Sequence, residues 1–244
     1  MQLYFTINAP HQWVTLDHKG IRDSGISDSL EDLPLKNNYQ RTIAVVPGEQ
    51  VVTGSVTIPV RNRQKLLAAI PYAIEESLIS GVDELHFVLL SAATGNNAIY
   101  AYASREDMGE WMSRLTAAGV KADAMLPDYL LLPYQDDTSS TLVRVSADRI
   151  LIRSHRYMGS VIDESALPVW LRDHGLEKPL KVATDSFAEL VTEHGAQDVT
   201  VVVTEADIEA WLQNGVPDND SNLLQGDYQT GDKRGGWSAY WAAA

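Results

Sequence analysis

One succession of segments occurs twice along the 244 residues and restricts the fold more than any other feature. In the first pass, Leu3–Ile7, Trp13–Leu16 and Ile21–Ile26 read as three short strands, with a turn at Asp17-His18-Lys19-Gly20. A short acidic piece (28–33) and the apolar run Thr42-Ile-Ala-Val-Val46 follow, the run ending at Pro47-Gly48 as a buried strand would. A helix over Glu106–Ala118, a strand at Val120–Met125 and a short apolar helix from Pro127, stopped by Pro133, complete the pass. In the second, Thr141–Val145, Arg149–Arg153 and Tyr157–Ile162 form another three-strand meander. A helix at 164–174, strands Leu180–Ala183 and Val199–Val203, and a helix over Glu205–Gln213 succeed it. Meander, helix, strand, helix in duplicate predicts a duplicated α/β architecture.

The first pass carries extra material. Val51–Ile58 alternates as a strand, and Leu66, Ile70, Ile74 and Leu78 recur every four residues as one helical stripe. Pro71 falls inside this stripe, so the helix must kink or restart there. Leu85–Leu90 and Ala98–Ala103 read as strands, and Gly119 stops the helix that buries Met108, Trp111, Met112 and Leu115. With polar Gln135–Ser140 as a boundary, the chain divides into a first lobe at 1–135 containing an inserted subdomain at about 47–103, a second lobe at 136–228, and a tail at 229–244.

Composition narrows the function. The absence of cysteine rules out disulfides, thiolate catalysis and Cys-ligated zinc, and suits a reducing compartment. A net charge of −14 opposes nucleic acid, which is itself a polyanion. Between Val182 and Asp232 there are eleven acids and no Lys or Arg. That stretch is either a solvated surface or an electronegative face that steers a basic partner. No signal sequence opens the chain and no apolar stretch is long enough to cross a bilayer, so the domain as given is expected to be soluble and uncleaved. In the tail, Lys233 and Arg234 precede Trp237, Tyr240 and Trp241, the order met on approaching a membrane from the cytosol. The tail is read as juxtamembrane, leading to a transmembrane helix, against the plainer reading of an aromatic end.

No catalytic constellation appears. There is no G-x-S-x-G or S-x-x-K, and the six histidines show no metal-binding spacing. The carboxylate pairs Glu75-Glu76 and Asp136-Asp137 suit solvation better than acid–base chemistry. Gly226 and Gly231 have the glycine spacing of a P-loop, but Asp232 stands where the phosphate-binding lysine belongs, and no G-x-G-x-x-G exists. No catalytic, cofactor or metal residues are expected, and a hydrolase has no residues behind it.

Several blocks resemble the cytoplasmic domain of the type II secretion system protein L family. They are Thr42-Ile-Ala-Val-Val-Pro-Gly48, Thr57-Ile-Pro-Val-Arg-Asn-Arg-Gln-Lys-Leu-Leu67, Ile70-Pro-Tyr-Ala-Ile-Glu-Glu76, Asp83-Glu-Leu-His-Phe87 and Leu126-Pro-Asp-Tyr-Leu-Leu-Leu-Pro133. Asn222-Leu-Leu-Gln-Gly-Asp-Tyr228 is similar to the motif that precedes that family's single membrane span. The family is also similar to the type IV pilus protein PilM and to actin-like proteins. The resemblance implies an α/β fold of two RNase H-like lobes, the actin-like ATPase architecture, with an inserted subdomain and a degenerate nucleotide site. Actin-like ATPases hold phosphate and metal with an Asp-x-Gly turn in each lobe. Here those turns read Ile7-Asn8-Ala9-Pro10 and Val145-Ser146-Ala147-Asp148, and Pro10 removes a backbone donor.

The function implied is a non-enzymatic adaptor at the cytoplasmic face of the bacterial inner membrane. It would hold the N-terminal domain of the secretion ATPase and, through membrane and periplasmic parts, the M protein; a homodimer is a further expected partner. Contact residues are sought in the acidic stretch (Glu205, Asp207, Glu209, Asp218, Asp220) and in the basic cluster with Arg61 and Arg63, which an exposed helix start also explains. The alternative is a nucleotide-binding actin-like protein of the PilM type.

Overall fold

Alternate side chains of the first strand, β1 (Gln2–Thr6), enter different cores: Leu3 and Phe5 lie in one, Tyr4 in another. A strand buried on both faces belongs inside a sheet. β1 pairs antiparallel with β2 (His11–Asp17) and parallel with β4 (Arg41–Val46), while β3 (Gly20–Ser27) adds to β2 and β8 (Ala124–Pro127) to β4. This sheet therefore runs β3-β2-β1-β4-β8 in the computed structural model, which describes residues 1–35, 38–60, 62–92, 97–135, 138–146, 148–175, 178–203, 208–213 and 221–229.

The second lobe repeats the order with β11 (Met158–Ile162), β10 (Arg149–His155), β9 (Ser140–Ser146), β12 (Leu180–Ala183) and β13 (Val199–Val203). The first three are again antiparallel, and β12 and β13 run parallel to β9. Duplication of the fold, expected from the sequence, thus holds at the level of sheet topology.

Between β4 and α2 (Arg105–Ala117) lies a three-stranded antiparallel sheet, in the order β5 (Val52–Thr57), β7 (Asn97–Ser104), β6 (Leu85–Ala92). One face packs on α1 (Arg63–Ile74) through Leu66, Ile70, Leu89 and Tyr100; the other contributes Val88, Leu90, Ile99 and Ala101 to the core beneath α2. The Asn62 side chain starts α1 by accepting from the Gln64 and Lys65 amides, each at 3.0 Å. Pro71 stays within α1, at the loss of one helical hydrogen bond, and the helix ends at Ile74. Leu78 therefore lies beyond the stripe in which it was expected, after a separate turn at Glu75–Ser77.

Two further expectations are corrected and one helix is added. The strand after α2 starts at Ala124, not at residue 120, because the Val120 amide donates to Leu115 O (2.9 Å) and Gly119, at φ +67°, donates to Thr116 O. That pattern closes the helix and occupies the residue a strand would need. The single helix at 164–174 is instead a turn at Glu164–Ala166, α3 (Leu167–Trp170) and a wider turn at Leu171–Gly175; Pro168 near the start of α3 has no amide to carry a continuous helix through. Between β12 and β13 stands α4 (Asp185–Glu193), an element beyond those expected; Thr184 caps it and Phe187 and Val191 bury one turn apart.

The lobes share a core. Tyr4, Val14, Ile43, Val45 and Leu126 from the first sheet meet Val143, Leu151 and Ala183 from the second, with Trp211 and Leu212 of α5 (Ile208–Gln213) between them. An apolar seam of this kind binds two lobes as one body and opposes hinge opening.

Candidate functional site

In parallel sheets ligands gather where strands end at their carboxyl side. The ends of β4 and β8 present Gly48-Glu49 and Asp128 to a cleft between the lobes, and β10 presents Arg149 from the other side. The cleft holds about 230 Å³, below the roughly 300–1,000 Å³ of sites for drug-sized ligands. Arg149 bridges its walls. Its Nη2 lies 2.8 Å from Glu49 Oε2, its Nε donates to the same carboxylate at 3.2 Å, and Nη2 also donates to Asp128 Oδ2. Asp128 is buried, and its other oxygen accepts from the Gly48 amide at 3.2 Å.

The electrostatics follow from burial and charge. Burial pushes the Asp128 carboxyl up, against the opposing pull of Arg149. Burial also works against ionisation of Glu49, but the hydrogen bonds from Arg149, a backbone amide and the guanidinium charge together outweigh it and hold that carboxyl below its ordinary value. Although desolvation opposes it, the two carboxylates hold Arg149 firmly protonated. A guanidinium thus supplies the positive charge between the two acids.

The turn after β1 is equally engaged. Arg114 of α2 donates to Asn8 Oδ1 (2.8 Å) and to Ile7 O, while the Ile7 amide donates to Val45 O (2.9 Å). Pro10, joined to Ala9 through a cis bond, has no amide. Behind the cleft, Tyr129 donates to Val51 O (3.1 Å) and fills the space over Gly48 and Gly159, where any Cβ would strike its ring. Thr53 Oγ1 of β5 donates to Gly159 O (2.9 Å) and accepts from its amide (3.0 Å), tying the inserted sheet to the second lobe.

A second feature is the return of the chain to the first lobe after α5. The Leu223 amide donates to Met125 O (2.8 Å), and Asn222 Oδ1 accepts from the Met125 and Leu224 amides at 3.0 and 2.9 Å, so the segment extends the β8 edge. Leu223 and Leu224 are buried in the first-lobe core. The buried imidazole of His86 lies with Nε2 2.9 Å from Leu223 O and meets the Tyr228 ring edge-on at 4.7 Å. Burial, with the nearby Arg105 cation, holds His86 below its ordinary value although the Leu223 carbonyl works the other way. Gly226 turns the chain at φ +57°, where glycine alone is unstrained, and Gln225 donates to Leu89 O (3.2 Å). The motif singled out in the sequence is thus a clasp.

Of the residues expected to contact partners, two are described and both are occupied internally. Arg63 donates to Leu89 O (2.8 Å), beside the clasp, and Glu209 accepts from Ser24 of β3, across the lobes. Arg61, Glu205, Asp207, Asp218, Asp220, Lys233, Arg234, Trp237, Tyr240 and Trp241 lie outside the described residues, as do Asp136 and Asp137. Glu49, Asp128 and Arg149 were not foreseen as a group. Their signal was position: Glu49 and Asp128 each follow a Pro at the carboxyl end of a buried run.

Comparisons with known proteins agree with this fold. The family described as "Type II secretion system (T2SS), protein L" matches residues 6–230. The protein L of Dickeya chrysanthemi is 29% identical over 119 residues, covering 49% of this chain and 30% of that protein. That of Vibrio cholerae serotype O1 is 22% identical over 223 residues, covering 88% of this chain and 52% of that protein. The chain thus spans about half or less of the length of these relatives. Among solved structures, the cytoplasmic domain of EpsL, an inner-membrane component of the type II secretion system of Vibrio cholerae, superposes with a TM-score of 0.69 at 18% identity, covering 93% of this chain and 99% of that one. The PilM-PilN type IV pilus biogenesis complex superposes with a TM-score of 0.55 at 11% identity, over 83% and 88%.

Proposed function

Because the chain belongs to the type II secretion system protein L family, we propose that this component of the secretion machinery is a rigid, non-enzymatic adaptor. It docks the N-terminal domain of the secretion ATPase on the cytoplasmic face of the inner membrane and couples that motor to the membrane complex. The observation that carries the reading is the interlobe cleft bridged by Arg149. Arg149 is tied to Glu49 and Asp128 across the cleft, and an apolar seam lies behind them. Such a shell supports a scaffold's work and leaves movement to the partner.

Among the described residues no group of three His, Asp or Glu comes together to hold a metal, and no helix is long and apolar enough to cross a membrane. The test is direct. Purified ATPase N-terminal domain should form a stable complex with this chain, and calorimetry with ATP and magnesium should give no heat beyond dilution. A chain that binds ATP at micromolar concentration and ignores the ATPase domain belongs with the nucleotide-binding alternative instead.

A further inference from the structure

The far end of α1 has the surface chemistry of a docking site. Leu66 and Ile70 face the inserted sheet, and Tyr72, two residues or about 200° further around the helix, points away and is 75% exposed. A groove lined by Tyr72, Ala73, Ile74, Glu75, Glu76 and Ser77 runs along this end. Beyond it, in the loop between two single turns, Ile79 is fully exposed, at 105%. These are the two most exposed large apolar side chains among the described residues.

Charge selects what could cover them. Glu75, Glu76, Asp83 and Glu84 are all exposed around the groove and loop, and no Lys or Arg occurs from Leu66 through Ser104. His86, the one imidazole in that span, is buried in the clasp and held toward neutrality. Arg105 beyond it is engaged by Asp83 O and Asp227. An anionic bilayer surface would be repelled. A second copy would bring the same acids against these, on a chain whose net charge is already −14.

We infer that this tip of the inserted subdomain, centred on Tyr72 and Ile79 within its acidic rim, is the docking surface for a basic amphipathic segment of a cytosolic partner protein. The inference rests on the adaptor reading above and moves the contact away from Glu209 and Arg63, which are already bonded within the chain. Aromatic and aliphatic anchors ringed by charge are the usual make-up of an interface centre.

The test uses the full-length protein in cells carrying the complete secretion apparatus, with a photocrosslinking residue placed singly at position 72 or 79 and adducts mapped by mass spectrometry. Two surface variants, Tyr72→Ser/Ile79→Ser and Glu75→Lys/Glu76→Lys, are assayed in parallel for binding purified ATPase N-terminal domain. We expect adducts on a Lys/Arg-rich stretch of a cytosolic partner, and at least tenfold weaker partner binding by each variant. Adducts on a second copy or on lipid, no adduct, or full binding by both variants overturns the assignment. If the ATPase domain binds wild type and both variants alike, the adaptor stands and this surface falls. If the ATPase domain never binds, while adducts and variant sensitivity agree on another basic protein, the surface stands and the ATPase reading falls.

Discussion

At the residue scale, Arg149 is the side chain on which the cleft depends. Asp128 is buried, and removing its partner strands a charge, which costs about 3–5 kcal/mol. Arg149→Ala should lose about that much in urea unfolding at pH 7. Part of the loss should return on acidification: without the guanidinium, the Asp128 carboxyl titrates further above its value in the unfolded chain. The folded state then takes up the proton first, so the stability of the variant rises relative to wild type as pH falls from 7 toward 5. A deficit that stays constant over that range would mean that Asp128 is not the stranded group. Glu49 is half exposed on its side chain, so Glu49→Gln should cost only about 0–1 kcal/mol. Gly159→Ala, by contrast, drives a methyl into the Tyr129 ring and the Ile152 carbonyl, and should cost about 1–3 kcal/mol in the same measurement.

Among the elements, the clasp has the sharpest consequences. Asn222→Ala removes the acceptor for the Met125 and Leu224 amides and should cost about 1–3 kcal/mol, with faster hydrogen exchange at Met125 marking where it acts. His86 gives a pH signature. Its value is lowered from the ordinary 6.5, so the unfolded chain protonates first; the stabilisation is full above 6.5 and declines as pH falls below it. Thermal midpoints of wild type between pH 7.5 and 5.5 should therefore drop more steeply than those of His86→Gln. Much of the element pattern was legible in the sequence: β4 announced itself as an apolar run before Pro47-Gly48, and α2 through Met108, Trp111 and Leu115. For α4 the signal is weaker and short: Thr184 ahead of Phe187, Leu190 and Val191 is a cap before a one-turn apolar repeat. The Glu49–Arg149–Asp128 group was not legible, because its members are far apart in sequence and only the docking of the lobes brings them together.

For the molecule as a whole, the duplicated sheet order made the architecture readable, while the bonding state of single surface acids was not. Acid counts along a chain do not say which acids are free: Glu209 looked available and is bonded to Ser24. The net charge of −14 does make a prediction at this scale. If a basic partner is steered by it, association should slow as salt rises from 50 to 500 mM while dissociation changes less, a split that stopped-flow mixing resolves. The clasp has a mechanical corollary too. A pull applied beyond Tyr228 meets the Asn222 and Leu223 bonds along the β8 edge before any strain reaches α5 or the second sheet. The tension is therefore delivered to the first lobe, and in an optical trap the first rupture should be the freeing of 222–228 while both five-stranded sheets remain intact.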